Sequence, residues 1–363
     1  MTNLKNFVKL AAIACCLLIP SFISTRIVNG QKGQLPDRRK GATGDYVIIE
    51  GDIQVSRSFY QKLQAAARSP QAAPIRFETK FWPNGVVPFE FDSNVSADNQ
   101  TRMINAMAVL EAVANVDFRQ CSDNDCGDNF VHIQNSDGNN SAVGMQGSSI
   151  INWDGSQDLN IASWGSKFTI VHELLHCLGF FHEQSRSDRS DYIRIHCENV
   201  QDGCGIFSDF GHDFKIEGDA TRYGYYDFDS VMHYDQCAFS IDCPSGSTCA
   251  CTNRTITVLP PNDTEWQSKI GQRSHLSVLD QASVSFLYPN PDWRFLDVSY
   301  NGALGPSNGS FLRPYTSFAT AVANTPEGGT IWLLQTQNIP AVGTYGKSVT
   351  IKAAPGVEAI LGD

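Results

Sequence analysis

Three histidines and one glutamate lie close together in the sequence, within the segment His172–His182. On a helix His172 and His176 are four residues apart on one face, so both imidazoles can reach a single metal ion. Gly179 allows the chain to turn, so that His182 can supply a third nitrogen. This spacing predicts a metal site with three histidine ligands and one open coordination position.

The chemistry expected of such a site is hydrolysis with zinc. Zinc with three protein ligands keeps a position for water and lowers the pKa of that water from about 15.7 towards about 7. Glu173 follows the first histidine and is placed to take the water's proton. A helix with buried histidines and no metal is the alternative, but it would leave several buried polar groups without partners. We therefore predict one catalytic Zn²⁺ ion with Glu173 as the general base.

A buried helix must carry the first two histidines. From Phe168 to Leu178 apolar residues cover most of the helix circumference, and Gly179 suits a helix C-terminus. Other elements are predicted as helices at Asp98–Asn115, Ser277–Leu287 and Thr316–Asn324, and as strands at Val131–Ile133, Ser149–Ile151 and after the turn Pro83–Gly85. The mixture predicts an α+β catalytic domain.

The start of the chain is typical of a secretory signal peptide. Lysines precede the apolar run Leu10–Ile23, which is too short and too broken to cross a bilayer comfortably. An uncleaved anchor and a lipid on Cys15 or Cys16 are the alternatives. We expect residues 1–25 to be removed and the protein to be secreted, with no membrane span.

The remaining chain divides into three predicted parts. Residues 26–73 are polar and predict an extended pro-segment, residues 74–289 predict the catalytic domain, and residues 290–363 predict a C-terminal segment. The boundary between the last two parts is expected near Pro289–Asp292, where the composition changes.

Composition limits the function classes. The chain has 363 residues, of which 42% are hydrophobic and 18% charged, so it can bury a core and does not suit disorder. Its formal net charge is -11, which argues against a sequence-independent nucleic-acid binder. The expected partners are protein or peptide substrates, and the expected state is a monomer.

Cysteine usage favours an oxidising compartment. Of 11 cysteines, nine lie beyond the predicted signal peptide, so one is left over when the others pair. Local loop closure predicts Cys121–Cys126 and Cys197–Cys204, with Cys177 free in the apolar helix. The four cysteines of the loop 237–251 allow three connectivities, and the sequence does not choose among them.

Further stretches carry a family resemblance. His172–His182 continues as Glu183–Tyr192, Ser-Val-Met-His-Tyr follows at Ser230–Tyr234, and Ile270–Arg273 leads into the predicted last helix. Together they resemble the astacin family of metzincin endopeptidases, over about Ala73–Pro289. The resemblance implies a two-subdomain catalytic domain with an active-site helix and a zinc ion below a long cleft.

The resemblance also implies roles for single residues. Met232 would pack beneath the histidines, and Tyr234 would be a mobile fifth zinc ligand that moves away to stabilise the oxyanion. Glu183 would contact the new N-terminus after activation. Asp52, within Ile49–Ile53, resembles the pro-segment aspartate that ligates the zinc of the latent precursor, although Ile49 stands where the family usually has Phe.

Other expectations concern the cleft and its activation. The strand near Val143–Ile151 is expected to lie antiparallel to bound substrate. A trypsin-like protease is expected to cleave between Ala66 and Arg76, where the segment has few structure formers. Trp164 stands where the family has a cysteine before the active-site helix, so the family's disulfide at that point is not expected.

The C-terminal segment 297–363 resembles the opening of a right-handed parallel β-helix of the pectate-lyase-like kind. Its short predicted strands recur at about the spacing of solenoid rungs, and a partial all-β module is therefore expected. A small β-sandwich is the alternative.

We predict a secreted zinc endopeptidase made as a latent precursor. The rival hypothesis is that the C-terminal segment carries the main role by binding a surface polysaccharide or a protein. A zinc-binding pseudoenzyme is disfavoured because Glu173 and all three histidines are present.

Overall fold

The computed structural model describes residues 46–58, 60–61, 80–122, 126–146, 155–201, 203–204, 213–217, 225–243, 249–303, 305–311, 313–353 and 357–362. The predicted signal peptide, the expected cleavage region from Ala66 to Arg76 and the predicted strand Ser149–Ile151 lie outside these residues. Of the predicted pro-segment, only 46–58 and 60–61 are described.

A seven-stranded mixed sheet forms one part of the predicted catalytic domain, with strand order β1-β2-β6-β7-β5-β3-β4. Its strands are β1 (Tyr46–Ile49), β2 (Ile53–Ser56), β3 (Val86–Phe91), β4 (Asp117–Gln120), β5 (Phe130–Asn135), β6 (Asn140–Ala142) and β7 (Ser156–Ile161). The pairs β1–β2 and β6–β7 are antiparallel, whereas the other neighbours are parallel. The first two strands come from the predicted pro-segment, so this segment extends the catalytic sheet.

Two helices pack with this sheet in the main core. They are α1 (Ala97–Glu111) and α2 (Lys167–Leu178), whose apolar side chains share one buried cluster with strand residues such as Ile133 and Leu159. The hydroxyl of Ser166 caps the first turn of α2, and Gly179 ends the helix with a left-handed φ of 113°. The buried active-site helix is therefore confirmed, with the C-terminal residue that the sequence predicted.

A second apolar cluster lies apart from the main core in the predicted catalytic domain. It surrounds the antiparallel pair β8 (Ile193–Ile195) and β9 (Ile256–Val258) and includes Tyr234. Two further helices follow, α3 (Asp263–Trp266) and α4 (Val278–Leu287). A capping box between Ser277 and Asp280 begins α4, as expected from a serine at that position. Two separate apolar clusters match the two subdomains that the resemblance implies, and α2 contributes its apolar side chains to the first of them.

Four disulfides cross-link the described part of the chain. Cys121–Cys126 and Cys197–Cys204 are confirmed. The loop whose connectivity was open contains Cys237–Cys251 and Cys243–Cys249, one bridge inside the other. Cys177 is free and buried in α2, also as predicted.

Short parallel strands form the C-terminal segment. The strands β10 (Trp293–Leu296), β11 (Thr330–Leu333) and β13 (Thr350–Ala353) make one parallel sheet, and β12 (Gln337–Ile339) pairs in parallel with β14 (Ala359–Leu361). The helix α5 (Phe318–Asn324) packs with them around its own apolar cluster. A β-helix needs such parallel pairing, but the pectate-lyase-like assignment and the boundary near Pro289–Asp292 stay predictions. Among the described residues, no helix combines the length and the apolar character needed to cross a bilayer.

Candidate metal centre

Four side chains converge on one point between the two subdomains. They are His172, His176, His182 and Asp52, and their possible ligand atoms all lie within 4.8 Å of one another. The carboxylate oxygens of Asp52 lie 3.1 Å from Nε2 of His172, 3.5 Å from Nε2 of His176 and 3.1 Å from Nε2 of His182. The residues that the sequence singled out from distant parts of the chain are thus brought together.

The donor set fits a cation. Nδ1 of His172 donates to the carbonyl of Val231 at 2.8 Å, and Nδ1 of His176 donates to the carbonyl of Phe180 at 2.7 Å. Both protons are therefore on Nδ1, and the two Nε2 lone pairs face each other at 3.2 Å. Tetrahedral zinc with bonds of 2.0–2.1 Å separates two ligands by about 3.3 Å. A positive ion between these lone pairs and the carboxylate would stabilise the arrangement.

A tight turn between β1 and β2 places Asp52. Glu50 and Gly51 both have left-handed backbones, with φ of 50° and 76°, and the carbonyl of Asp52 accepts a hydrogen bond from the Ser141 amide at 2.9 Å. A Cβ on Gly51 would lie only 2.6 Å from the ring of Phe239. Glycine is therefore required both by the backbone conformation and by the close approach to the cleft wall.

Glu50 takes part in the centre, although sequence reasoning gave it no role. Its carboxylate is buried, and Oε2 accepts hydrogen bonds from Nδ1 of His182 and from Oγ of Ser185, each at 2.9 Å. Nothing in the sequence distinguishes this glutamate from an exposed one, because its neighbours in the turn give no apolar periodicity. The contact of Glu50 with the site is evident only from the position of the β1–β2 turn in the structure.

Glu173 is almost fully buried beside the centre, with 1% of its surface exposed. Its Oε2 has no hydrogen-bond partner among the described residues. Burial raises the pKa of its carboxyl well above the usual value, the negative charge of Asp52 raises it further, and the guanidinium of Arg273 opposes this. A carboxyl with a raised pKa is suited to accept a proton near neutral pH.

Tyr234 lies against the third histidine. Its ring centroid is 4.5 Å from that of His182, and its hydroxyl donates to the carbonyl of Glu50. The Tyr234 amide donates to Oε1 of Gln184 at 3.0 Å, which fixes the backbone of the tyrosine to the segment after the third histidine. Burial raises the pKa of the Tyr234 hydroxyl well above its usual value. The phenol is therefore a proton donor over the physiological pH range.

The turn at Ser230–Tyr234 is tied to the site through its backbone. Val231 accepts the hydrogen bond from His172, and the carbonyl of Met232 accepts one from the Glu183 amide at 3.1 Å. Asp280 of α4 accepts from the Ser230 hydroxyl and the Val231 amide, at 2.6 and 2.8 Å. Met232 itself is buried in the main core. The turn thus fixes the first histidine to the last helix of the domain.

Glu183 lies in a small, partly buried polar cluster next to the third histidine. Its Oε1 accepts from the Asp227 amide at 2.8 Å and lies 3.2 Å from Nη1 of Arg186. Burial raises the pKa of Glu183 to about 8, although Arg186 opposes the change. Arg186 also pairs with Asp188 through two hydrogen bonds of 3.0 Å.

Comparison of the sequence with known proteins identifies the family of this chain. The family model described as Astacin (Peptidase family M12A) matches residues 75–289. The chain belongs to the astacin family. The zinc metalloproteinase nas-15 of Caenorhabditis elegans is 33% identical over 219 residues, which cover 60% of this chain and 34% of the relative. Human Tolloid-like protein 1 is 32% identical over 263 residues, covering 70% of this chain and 23% of that protein.

A further curated relative and a solved structure are also similar to this chain. The embryonic protein UVS.2 of Xenopus laevis is 32% identical over 257 residues, covering 68% of this chain and 44% of its own length. A solved structure of high choriolytic enzyme 1, a hatching enzyme zinc-protease from medaka, is 28% identical with a TM-score of 0.47, and the match covers 60% of this chain and 98% of that one. The chain spans between about a third and a half of the length of the curated relatives nas-15, nas-14 and nas-13. As an astacin with a three-histidine and aspartate cluster, it has a centre that fits one catalytic zinc ion.

Proposed function

We propose that this astacin is a zinc endopeptidase that is secreted as an inactive precursor. The observation that carries the proposal is the contact of Asp52 with all three histidines, because it gives both the metal site and its inhibitor in one arrangement. The substrates would be proteins or peptides cleaved at internal bonds.

In the proposed hydrolysis, different residues of the site would bind the metal, transfer the proton and stabilise the oxyanion. Zinc on three neutral imidazoles supplies a Lewis acid that activates water at neutral pH. His172, His176 and His182 would hold it, and Glu173 would take a proton from the attacking water and pass it to the leaving amine. Tyr234 would donate a hydrogen bond to the oxyanion once its contact with the Glu50 carbonyl is released.

Two features support latency in the precursor. The carboxylate of Asp52 occupies the place where water and the substrate carbonyl would need to be. The strand β2 also pairs with the edge strand β6, with Ile53 opposite Ser141 and Gln54 opposite Ala142. The amide of Gly144, just after β6, donates to the carbonyl of His176 at 2.8 Å, so this edge lies beside the active-site helix. The pro-segment therefore covers the sheet edge directly before the segment Val143–Ile151, along which we expect substrate to lie.

Activation would follow from cleavage between about Ala66 and Arg76 by a trypsin-like protease. The new N-terminus would then fold towards Glu183, whose cluster with Asp227 and Asp280 holds more carboxylates than Arg186 alone can neutralise. Secretion is supported by the four disulfides, since such bonds persist in oxidising compartments.

Peptide hydrolysis tests the proposal directly. Protein trimmed in the region 66–76 should cleave an internally quenched peptide, and a zinc chelator should abolish that cleavage. The variant Glu173→Gln should keep one zinc ion per chain, because the ligands are unchanged, but lose about 10²–10⁴-fold in turnover with the proton acceptor. Near-normal turnover of this variant would refute the role of Glu173, and a trimmed protein without zinc would refute the function.

A further inference from the structure

His182 differs from the other two histidines in what fixes its ring. Nδ1 of His172 and of His176 donates to backbone carbonyls of the catalytic domain, from Val231 and Phe180. Nδ1 of His182 donates instead to the carboxylate of Glu50, at 2.9 Å, and Glu50 belongs to the pro-segment. One of the three histidines therefore depends for its orientation on a part of the chain that activation is expected to remove.

Glu50 and Asp52, two carboxylates of the same turn, lie at opposite edges of the His182 ring. Glu50 lies at Nδ1 of His182, while Oδ1 of Asp52 lies 3.1 Å from Nε2. The left-handed backbones of Glu50 and Gly51 bring the two side chains to either side of one imidazole. Two further hydrogen bonds hold Glu50 in place. The hydroxyl of Ser185 donates to its carboxylate, and the phenol of Tyr234 donates to its backbone carbonyl.

A carboxylate behind a histidine ligand has a known physical effect. It fixes the ring and its tautomer, and it makes the other nitrogen a stronger electron donor to a metal. Removing such a partner typically costs about 10–100-fold in metal affinity. The contact of Glu50 is well suited to this effect, since its side chain is 1% exposed and water competes little for the hydrogen bond.

We infer that Glu50 is a positioning residue that strengthens zinc binding through His182 in the precursor. This inference rests on the proposed function, because it takes the three histidines as zinc ligands. The pro-segment then has two separate effects on the centre. Asp52 blocks it, and Glu50 retains its metal, so the trimmed enzyme releases zinc more readily than the precursor does.

Zinc release to a chelator tests the inference without any substrate. The uncleaved full chain, loaded with zinc, is mixed with excess chromophoric chelator, and the rate of metal transfer is followed. We expect Glu50→Ala to release zinc about 10–100-fold faster than the unaltered precursor. Glu50→Gln keeps the side-chain length but offers only a neutral acceptor, so it should give a smaller acceleration in the same direction.

Gln54 provides the matched control. It is buried in β2, and its Nε2 donates to Oδ1 of Asn140 at 2.6 Å, so Gln54→Ala weakens the attachment of the pro-segment to β6 without touching a histidine. We expect this variant to release zinc at nearly the unaltered rate. Equal acceleration by Gln54→Ala and Glu50→Ala would overturn the inference, because loosening of the segment would then explain both.

The outcomes separate this inference from the proposed function. Unaltered precursor that binds no zinc contradicts the proposed function itself. Precursor that binds one zinc ion and releases it at the same rate with glutamate, glutamine or alanine at position 50 contradicts only the role of Glu50. If Glu50→Ala does not fold, as judged by circular dichroism, Glu50→Gln decides the question alone.

Discussion

At the scale of single residues, Tyr234 holds the proposed inhibitor and is the proposed transition-state donor. Its hydroxyl donates to the carbonyl of Glu50, and its ring lies against His182. If activation removes the turn, as we propose, this hydroxyl would lose its partner and become free to donate elsewhere. The phenol already lies close to the proposed metal position.

Tyr234→Phe should reduce turnover but not zinc binding. The change removes one hydrogen-bond donor to the oxyanion, worth about 2.7–4 kcal/mol, or about 10²–10³-fold in kcat. The measurement is kcat on a quenched peptide, together with the zinc content of the trimmed protein. Loss of zinc from the Phe variant would show instead that the tyrosine is structural.

At the scale of elements, the proposed inhibition by the β1–β2 hairpin would have two parts, one from its strand and one from its turn. The strand β2 covers the edge of the sheet at β6, whereas the turn carries Asp52 to the histidines. These two contributions can be separated, because a substitution in the turn leaves the pairing of β2 intact.

Asp52→Ala in the uncleaved precursor should restore part of the activity. Removing the carboxylate reopens the coordination position, so a short quenched peptide should be hydrolysed measurably without trimming. Gln54→Ala is again the control, since it weakens β2 but keeps the inhibiting carboxylate, and it should stay inactive. If the Asp52→Ala precursor is as inactive as the unaltered one, and both gain activity only on cleavage, the hairpin inhibits by bulk alone.

The sequence predicted the elements of this site better than their long-range pairing. The active-site helix could be predicted because its apolar pattern, its cap and the histidine spacing are local signals within Phe168–Gly179. The addition of β1 and β2 to the catalytic sheet could not, because β2 pairs with β6, more than 80 residues away, and strand partners leave no local mark. The contact of Glu50 with His182 could not be predicted for the same reason.

The disulfides show the same limit. Cys121–Cys126 and Cys197–Cys204 close short loops, so local closure sufficed to predict them. The nested pairs in 237–251 depend on how the loop packs. That loop contributes Phe239, which lies 5.5 Å from the Tyr234 ring and against Gly51. The spacing of the four cysteines does not predict how this loop folds, so their connectivity could not be predicted from the sequence.

At the scale of the whole molecule, the chain buries several carboxyl groups around the turn between β1 and β2. Asp213, Glu217 and Glu50 are all nearly inaccessible to solvent. Burial, together with the charges of Glu50 and Asp52, raises the pKa of Asp213 to about 8. Burial and the charge of Glu50 raise the pKa of Glu217 to about 7, although Lys215, 3.2 Å away, opposes this. Taken by themselves, Asp213 and Glu217 should therefore stabilise the folded chain less at neutral than at mildly acidic pH.

Glu217→Gln tests this pH dependence. The folded pKa of Glu217 is about 7 and its usual value is 4.5, so between these pH values the folded state binds more protons than the unfolded state. Its free energy of unfolding then falls as pH rises, by up to about 3 kcal/mol for this group. Glutamine does not titrate, so the variant should gain stability relative to the unaltered precursor from pH 4.5 to pH 7.

Urea unfolding of the two uncleaved proteins at several pH values, with zinc in excess, gives the comparison. Taking the difference between variant and unaltered protein at each pH cancels the titration of the histidines, which is common to both. Glu265→Gln is the control, because Glu265 is exposed and its ion pair with Lys269, at 3.6 Å, is exposed as well. Parallel pH profiles for Glu217→Gln and the unaltered precursor would show that Glu217 is ionised in the folded protein, with Lys215 compensating for its burial.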